Sequence, residues 1–242
     1  ENYFSIFPNK FLHKNAYGFD AGCGSGRWAR FIAPKVKHLT CIDPSHKAIK
    51  VTTKNLEQFK NCSFNCCSIN DWNIKDDSQD FGYCLGVLHH IPDTKSALKK
   101  LVSKLKKGSP LLIYLYYKFD NKPFWFSFLW KITDFIRKII CILPYKNKLI
   151  ITKIIALTIY FPMARFALIL EKFGLETSNL PLSIYRHQSF YSMQTDALDR
   201  FGTKLEKRFT KNEIKSLMSS CGLEKIKFSN SEPFWIAVGY KK

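Results

Sequence analysis

The sequence predicts an α/β fold, in which helices cover both faces of a mostly parallel sheet and a helical insertion follows the fifth strand. Three observations support this fold class. Short apolar runs of strand length alternate with segments of helical apolar spacing between residues 17 and 116. A glycine-rich turn at residues 22–26 joins the first run to the first helical segment. The alternation then stops, and residues 123–173 are rich in Phe, Trp, Ile and Leu.

The first half of the chain contains five predicted strands with helices between them. The strands are predicted at residues 17–20, 38–42, 63–67, 80–85 and 111–116. A helix follows the glycine-rich turn and ends before Pro34, and a second helix begins after Ser45, which can cap it, and runs towards Phe59. A third helix is predicted at residues 94–105, since Gly108 follows it closely. This strand–helix–strand order favours a parallel sheet.

The insertion, predicted at residues 122–182, is both basic and apolar. Pro144 and Pro162 are expected to divide it into two or three helices. Its longest uncharged stretch is residues 154–164, shorter than the roughly 18 residues of a membrane-spanning helix, so we expect none there. We expect a lid or substrate subdomain, and leave open peripheral contact with an anionic membrane surface.

Regular alternation returns near the end of the chain. Thr210 and Glu213 have the spacing of a capping box, which predicts a helix that begins there and ends at Gly222. Two strands are then predicted, at residues 223–228 and 234–239. The 242 residues are thus interpreted as one domain, 1–242, that contains the insertion.

The composition of the chain restricts its cellular location and its binding partners. The formal net charge of +19 would attract nucleic acid or an anionic membrane, but no run of like charges forms a tail, so a solvated basic surface is the simpler interpretation. The eight cysteines include no C-x-x-C pair, and most lie in apolar runs. We therefore predict no metal site and no disulfide framework. Because no export signal is recognisable, we expect a cytoplasmic location.

The glycine-rich turn and Asp43 together point to an adenosine ligand. Gly22, Gly24 and Gly26 form G-x-G-x-G, which lets the backbone approach a ligand closely, and Arg27 breaks the dinucleotide fingerprint G-x-G-x-x-G. Asp43 closes the second strand, where an acidic group can accept hydrogen bonds from ribose hydroxyls. A plain turn and a helix N-cap are the alternative interpretations of these two features.

Three segments in this order resemble the class I S-adenosylmethionine-dependent methyltransferases. They are residues 18–26 (GFDAGCGSG), 41–45 (CIDPS) and 80–93 (DFGYCLGVLHHIPD). The resemblance implies a Rossmann-like sheet of seven strands, S-adenosyl-L-methionine as the cofactor and a small-molecule or lipid-linked acceptor. It covers residues 17–116 closely, and the late strand pair suits the reversed last strand of that fold.

The resemblance also implies which residues bind the cofactor. Asp20 would lie near the methionine amino group, the turn would line the cofactor, and Asp43 would hold the ribose. The adenine would lie near Ser68 and Ile69, although this chain has Cys67 where many relatives carry Asp. The predicted cofactor-binding residues are Asp20, Gly22, Gly24, Gly26, Asp43, Pro44, Ser68, Ile69, Leu85 and Gly86.

Catalytic residues are harder to predict, because methyl transfer is an in-line displacement in which positioning supplies much of the rate. His89 and His90 follow the fourth strand, and one of them could take a proton from a hydroxyl acceptor. A structural function for both is the alternative. A polar segment after the insertion supplies Tyr185 and Arg186. We predict His90, Tyr185 and Arg186 as the catalytic residues.

Two other functions remain open at this stage. A nucleic-acid methyltransferase would suit the positive charge, but the segment after the fourth strand lacks the Asn/Asp-Pro-Pro-Tyr/Phe tetrapeptide of many amino-methylating enzymes. A non-catalytic module would bind the adenosine ligand without turning it over.

Overall fold

The structure is a computed structural model that describes residues 2–177, 179–231 and 234–242. The chain forms two compact units. Unit 1 comprises residues 1–117 and 207–242, and unit 2 comprises residues 118–206. The predicted insertion at 122–182 lies within unit 2, which extends beyond it at both ends.

Unit 1 contains a seven-stranded sheet in the order β3-β2-β1-β4-β5-β7-β6. The strands β1 to β5 are parallel to one another, and β7 runs antiparallel to both of its neighbours. The predicted fold class is therefore confirmed. The strand bounds are β1 Tyr17–Ala21, β2 His38–Asp43, β3 Cys62–Cys66, β4 Phe81–Leu85, β5 Pro110–Tyr114, β6 Leu223–Phe228 and β7 Ile236–Lys241.

Two predicted strands end elsewhere than expected. The sequence predicts that β5 continues to Tyr116, but the backbone N–H of Tyr116 donates to Nδ1 of His89 (3.4 Å) instead of to a neighbouring strand. The strand β7 is displaced by two residues from its predicted start, because Ile236 pairs with Tyr114 and Tyr240 pairs with Pro110.

Three helices of unit 1 begin at side-chain caps, and two of these caps, Ser45 and Thr210, are predicted from the sequence. Ser45 Oγ accepts a hydrogen bond from the backbone N–H of Ala48, and Thr210 and Glu213 form the predicted reciprocal capping box. Asp93 caps the helix that begins at Thr94. The helix bounds are α1 Ala29–Ile32, α2 His46–Asn55, α3 Thr94–Lys104 and α8 Lys211–Ser220.

Apolar side chains fill both sides of the sheet. On one side, Leu98 and Leu101 of α3 and Met218 of α8 join a cluster that includes Phe19. On the other side, Ile32 of α1 joins a cluster with side chains of β2 to β5, of β7 and of the segment that precedes β1. Helices thus cover both faces, and in such sheets ligands bind at the carboxyl ends of the parallel strands.

Unit 2 is helical. Its helices are α4 Phe124–Ile140, α5 Tyr145–Ile155, α6 Phe161–Lys172 and α7 Phe190–Gly202. A small apolar cluster joins Ile140 of α4, Ala156 and Tyr160 after α5, and Met193 and Ala197 of α7. Polar contacts join the helices as well, because the buried guanidinium of Arg137 donates to Asp134 Oδ1 and to the carbonyls of Thr203 and Lys204.

The helices α5 and α6 are continuous, contrary to the predicted break at Pro162. A π-helical segment, Ala156–Tyr160, links them into one helix, Tyr145–Lys172. Proline normally collides with the carbonyl four residues earlier, and the wider π-turn before Pro162 relieves that collision. This helix of 28 residues is long and apolar enough to cross a membrane by length and composition. This test concerns length and composition only, so the expectation that no helix of the insertion spans a membrane stays a prediction.

Candidate functional site

The predicted cofactor residues of unit 1 lie at one edge of its sheet. The strands β1 to β4 are parallel, so their carboxyl ends share an edge. The chain order reverses between β1 and β4, where such folds leave a crevice for ligands. The residues that follow or close these strands are Gly22, Gly24, Gly26, Asp43, Pro44, Ser68, Ile69, Leu85, Gly86 and His90.

The glycine-rich turn has a backbone that requires glycine. Gly22, Gly24 and Gly26 have φ angles of 77°, 56° and 74°, in the left-handed region. The N–H of Gly22 donates to the carbonyl of Ile42 (2.7 Å), and Thr52 Oγ1 donates to the carbonyl of Gly24 (2.6 Å). These bonds fix the turn between β1, β2 and α2.

The surroundings distinguish the glycines from one another. A Cβ on Gly22 would lie 2.2 Å from the side chain of Val87, so this position is packed against protein. A Cβ on Gly24 or on Gly86 would meet no described atom within 4 Å, and both have positive φ. Open space therefore borders the turn after β1 and the turn after β4, where a bound cofactor would approach the backbone.

Asp43 connects the turn to the second helix. Its Oδ2 accepts a hydrogen bond from the N–H of Gly24 (3.0 Å), and its Oδ1 accepts one from the N–H of Ser45 (2.9 Å). The carboxylate has about four acceptor positions, so two remain for the hydroxyls of a ribose. The alternative interpretation of Asp43 as a helix N-cap is wrong, because Ser45 caps α2. Asp43 instead holds the glycine-rich turn and the N–H of Ser45, and it keeps the capacity to bind a ligand.

Asp20 is a buried carboxyl group whose charge is not compensated. It is 2% exposed, and its Oδ2 and the nearby hydroxyl of Tyr83 have no hydrogen-bond partner of ordinary geometry among the described residues. Burial raises the pKa of Asp20 to about 8; the adjacent hydroxyl of Tyr83 opposes this increase, and the nearby carboxylate of Asp43 adds to it. A cationic amino group bound here would pair with this carboxylate and lower its pKa.

Ser68 and Ile69 follow β3 at the same edge. Ile69 is 5% exposed and packs in the apolar cluster with Phe19 and Trp72. Ser68 Oγ donates to Asp71 Oδ2 (2.6 Å). Asp71 therefore lies next to the predicted adenine position, where Cys67 replaces the Asp of many relatives.

The two histidines after β4 differ in their surroundings. His89 is fully buried and stacks on Tyr116, with ring centroids 3.8 Å apart. Its Nδ1 faces the N–H of Tyr116, and burial, followed by the charges of His90 and Arg208, holds its pKa well below the ordinary value. His89 is thus a neutral, structural side chain. His90 is only half-buried and its ring lies 5.7 Å from that of Tyr116.

Tyr185 and Arg186 have structural contacts within unit 2. Arg186 Nε donates to Glu171 Oε1 (2.9 Å), and its Nη1 donates to the carbonyl of Ser183 (2.9 Å). The ring of Tyr185 lies 5.3 Å from that of Tyr160. These contacts stabilise the end of α6 and the turn that follows it. A function of these two residues in catalysis stays a prediction.

Several residues at the edge of the sheet were not predicted from the sequence. Tyr83 reaches Asp20 because the two residues pair across β4 and β1. Arg208 lies over the ring of Tyr116 at 5.3 Å and donates to the carbonyl of Tyr117 (3.1 Å). The sequence could have indicated Tyr116 as a site residue, because it lies just beyond β5. Nothing in the sequence indicates Arg208, because more than ninety residues separate it from Tyr116.

These features fit S-adenosylmethionine. The unpartnered carboxyl oxygen of Asp20 suits the amino group of the methionine part, and the open space at Gly24 and Gly86 suits the body of the cofactor. Asp43 retains acceptor capacity for the ribose. These binding groups therefore match the cofactor that the sequence motifs imply.

Comparison with known families gives the same result. Residues 19–108 match the family described as a methyltransferase domain. The ubiquinone biosynthesis O-methyltransferase of Idiomarina loihiensis is 29% identical over 94 residues, which are 38% of this chain and 39% of that protein. The enzyme of the same name from Coxiella burnetii is 29% identical over 101 residues, or 40% of this chain and 42% of that protein. The chain thus spans about two fifths of the length of these relatives.

Solved structures share the fold over a longer part of the chain. A protein of Bacillus halodurans C-125 assigned to the methyltransferases has a TM-score of 0.55 at 14% identity, covering 90% of this chain and 68% of that one. A chain from the complex of the Haloferax volcanii Trm112 methyltransferase activator with a methyltransferase has a TM-score of 0.54 at 12% identity, covering 95% and 84%.

Proposed function

We propose that this chain, a member of the class I S-adenosylmethionine-dependent methyltransferases, transfers a methyl group to a hydroxyl oxygen of a small-molecule acceptor. The observation that carries the proposal is the set of groups at the carboxyl edge of the sheet. Asp20, the glycine-rich turn and Asp43 fit the cofactor, and His90 lies at the same edge with part of its surface open.

Three groups of this site would bind the cofactor. The carboxylate of Asp20 would pair with the amino group of the methionine part, and Asp43 would accept hydrogen bonds from the ribose. The backbone at Gly24 would contact the cofactor directly, because no side chain intervenes. When bound, S-adenosylmethionine supplies a methyl group on a positively charged sulfur, which leaves as a neutral thioether.

The chemistry left to the protein is positioning and proton removal. The acceptor oxygen forms a bond to the methyl carbon while the carbon–sulfur bond breaks, and the hydroxyl proton must leave the oxygen. We assign that proton to His90. His89 is the poorer candidate, because it is buried and its Nδ1 already faces the N–H of Tyr116.

The acceptor would lie near Tyr116. His90 and Arg208 both lie within 6 Å of that ring, at 5.7 and 5.3 Å, so an aromatic face, a base and a cation occur together. A cation and a base beside an aromatic ring suit a hydroxylated acceptor whose oxygen gains negative charge as its proton leaves. The names of the two O-methyltransferases above support oxygen as the methylated atom. A lipid-linked acceptor is included in the proposal.

Label transfer from methyl-labelled S-adenosylmethionine to a panel of hydroxylated small molecules tests this function. We expect label in an acceptor with the parent protein, and at least roughly tenfold slower transfer by His90→Gln with unchanged cofactor affinity. Label in nucleic acid instead would favour a nucleic-acid methyltransferase. Cofactor binding with no transfer to any acceptor or extract would favour the non-catalytic module.

A further inference from the structure

The helices of unit 2 expose most of the large apolar side chains that the described residues leave uncovered. Of those that are exposed, only Tyr17, Phe31 and Val51 lie in unit 1, and the other 21 lie in unit 2. Scattered single apolar residues are ordinary on a protein surface, but a dense set on consecutive helices marks an interaction surface.

One face of α4 is apolar and exposed along its whole length. Phe124, Phe128, Ile132, Phe135 and Ile139 follow one another at intervals of three or four residues and are between 45% and 88% exposed. This spacing aligns side chains on one side of a helix. At 1.5 Å per residue, the 17 residues of α4 give an apolar stripe of roughly 25 Å.

The opposite face of α4 is polar and bonded to other parts of unit 2. Arg137 is 4% exposed and bonds Asp134 and two backbone carbonyls after α7. Thr133 Oγ1 accepts a hydrogen bond from Arg200 of α7 (3.0 Å). The helix therefore packs polar groups as well as Ile140 against the protein and leaves most of its aromatic groups outwards, unlike an ordinary surface helix in water.

The long helix Tyr145–Lys172 repeats this arrangement. Its exposed apolar residues include Ile150 and Ile154 before the π-helical segment, Leu157 within it, and Phe166 and Ile169 after it. A π-turn holds one residue more than an α-turn, and this offset brings the exposed residues before and after the segment towards the same side of the helix. The π-helical segment thus keeps one continuous apolar face.

The other face of the long helix is anchored to α7. Ala156, Tyr160, Ala164 and Ala167 are buried in the cluster that contains Met193, Ala197 and Phe201 of α7. Only 22% of the most apolar stretch of the long helix is buried, so it is not a core helix. Because α7 also carries Asp196, Asp199 and Arg200, the long helix could not enter the hydrocarbon core upright without separating from α7 or burying these charges.

Positive charge surrounds the apolar faces. Between residues 123 and 173 the exposed charged residues are all lysines. They are Lys131, Lys138, Lys146, Lys153 and Lys172. The two carboxylates of this segment are engaged, Asp134 with Arg137 and Lys138, and Glu171 with Arg186 and His187. Lysine stems can lie along apolar surface while the ammonium groups reach anionic headgroups.

We propose that unit 2 is a membrane-surface module, which lies on an anionic bilayer with the apolar faces of α4 and of Tyr145–Lys172 in the headgroup region. The exposed aromatic side chains supply the apolar contact, and the surrounding lysines match the charge of anionic lipid. The occupant is a lipid surface parallel to these helices, and neither helix crosses the bilayer. The inference does not depend on methyl transfer, since it concerns unit 2 alone.

Flotation with lipid vesicles tests this module in the full chain. We expect the parent protein to float with vesicles of phosphatidylcholine and phosphatidylglycerol, and much less with phosphatidylcholine alone. Lys146→Glu with Lys153→Glu should lower the partition coefficient at least roughly 25-fold, because loss of each lysine alone accounts for about fivefold and the added negative charges lower it further. Phe128→Ser with Phe135→Ser should lower it roughly 100-fold, about tenfold for each phenyl ring.

Matched changes in unit 1 serve as controls. Lys50→Glu with Lys54→Glu changes two exposed lysines of α2 by the same charge, and Phe31→Ser removes a phenyl ring that is 57% exposed, similar to the 65% of Phe128. These controls should float like the parent. The proposal is overturned if the parent does not bind anionic vesicles, or if the controls weaken binding as much as the variants of unit 2.

Two further measurements test the orientation. Brominated lipid should quench the fluorescence of Trp125, so Trp125→Phe should show less quenching than the parent. Bound protein should be released by high salt or carbonate, as expected for a surface module. Protein that resists both treatments would contradict the surface orientation and indicate a spanning helix. Formation of dimers that bury these apolar faces and do not bind vesicles would show that a second copy of the chain, and not lipid, covers these faces.

Discussion

Replacing Asp20 with asparagine should make the protein more stable and less able to bind its cofactor. The carboxyl group is 2% exposed, and burial raises its pKa from 3.8 to about 8. At about 1.4 kcal/mol per pKa unit, the ionised carboxylate costs the folded state at most roughly 6 kcal/mol above pH 8. Asparagine removes the charge at nearly the same volume.

The sign of this effect fixes its pH dependence. Because the folded-state pKa lies above the unfolded value, the parent is least penalised below pH 4 and loses stability as the pH rises towards 8. The amide of asparagine keeps some unpaired polar atoms, so we expect Asp20→Asn to gain about 2 to 3 kcal/mol at pH 8 and nothing at pH 4. For a chain of this size that is roughly 5 to 10 °C in melting temperature.

Two assays test the Asp20 prediction. Thermal melts from pH 4 to pH 9 should show curves for parent and Asp20→Asn that diverge with rising pH, while the exposed control Glu57→Gln follows the parent. Calorimetric titration with S-adenosylmethionine at pH 7, in buffers of different ionisation enthalpy, should show release of about one proton by the parent, because the bound amino group ionises Asp20. Coinciding melting curves, or equal cofactor affinity in Asp20→Asn, would refute the reasoning.

Three other substitutions test the remaining parts of the site. Asp43→Ala should weaken cofactor binding by roughly 1.5 to 3 kcal/mol, as measured by titration, and unchanged affinity would remove Asp43 from the site. Gly24→Val should abolish binding but leave a folded protein, whereas Gly108→Val, which shares the positive φ and the open surroundings, should bind normally; equal binding by both would reduce the turn to a structural element. Thr210→Ala should cost about 1 kcal/mol of unfolding free energy in denaturant titrations through loss of the capping box, and an unchanged midpoint would contradict that contribution.

The sheet and its cofactor edge could be predicted because their determinants are local. Gly22 and Gly24 need positive φ, Ser45 and Thr210 cap helices, and strand-length apolar runs alternate with helical ones. Such signals lie within a few residues of the structure that they specify. The predicted identity of β1 to β5 and the place of Asp43 follow from them.

The parts that were missed depend on contacts distant in sequence. The end of β5 is set by His89, 27 residues before Tyr116, and the position of Arg208 depends on the return of the chain after unit 2. The continuity of the long helix depends on a π-turn, which the proline rule does not anticipate. The sequence does not show which side of α4 faces the protein, because that depends on the hydrogen bonds of Arg137 inside unit 2.

The most direct test of the proposed methyl transfer is a single labelling experiment. The parent protein and Asp43→Ala are incubated with S-adenosylmethionine that carries a deuterated methyl group and with extracted small molecules and lipids, and the products are identified by mass spectrometry. We predict a deuterated methyl ether on a hydroxylated acceptor with the parent, and its loss with Asp43→Ala. A parent protein that binds the cofactor but labels no small molecule or lipid, or that labels nucleic acid, would contradict the proposal.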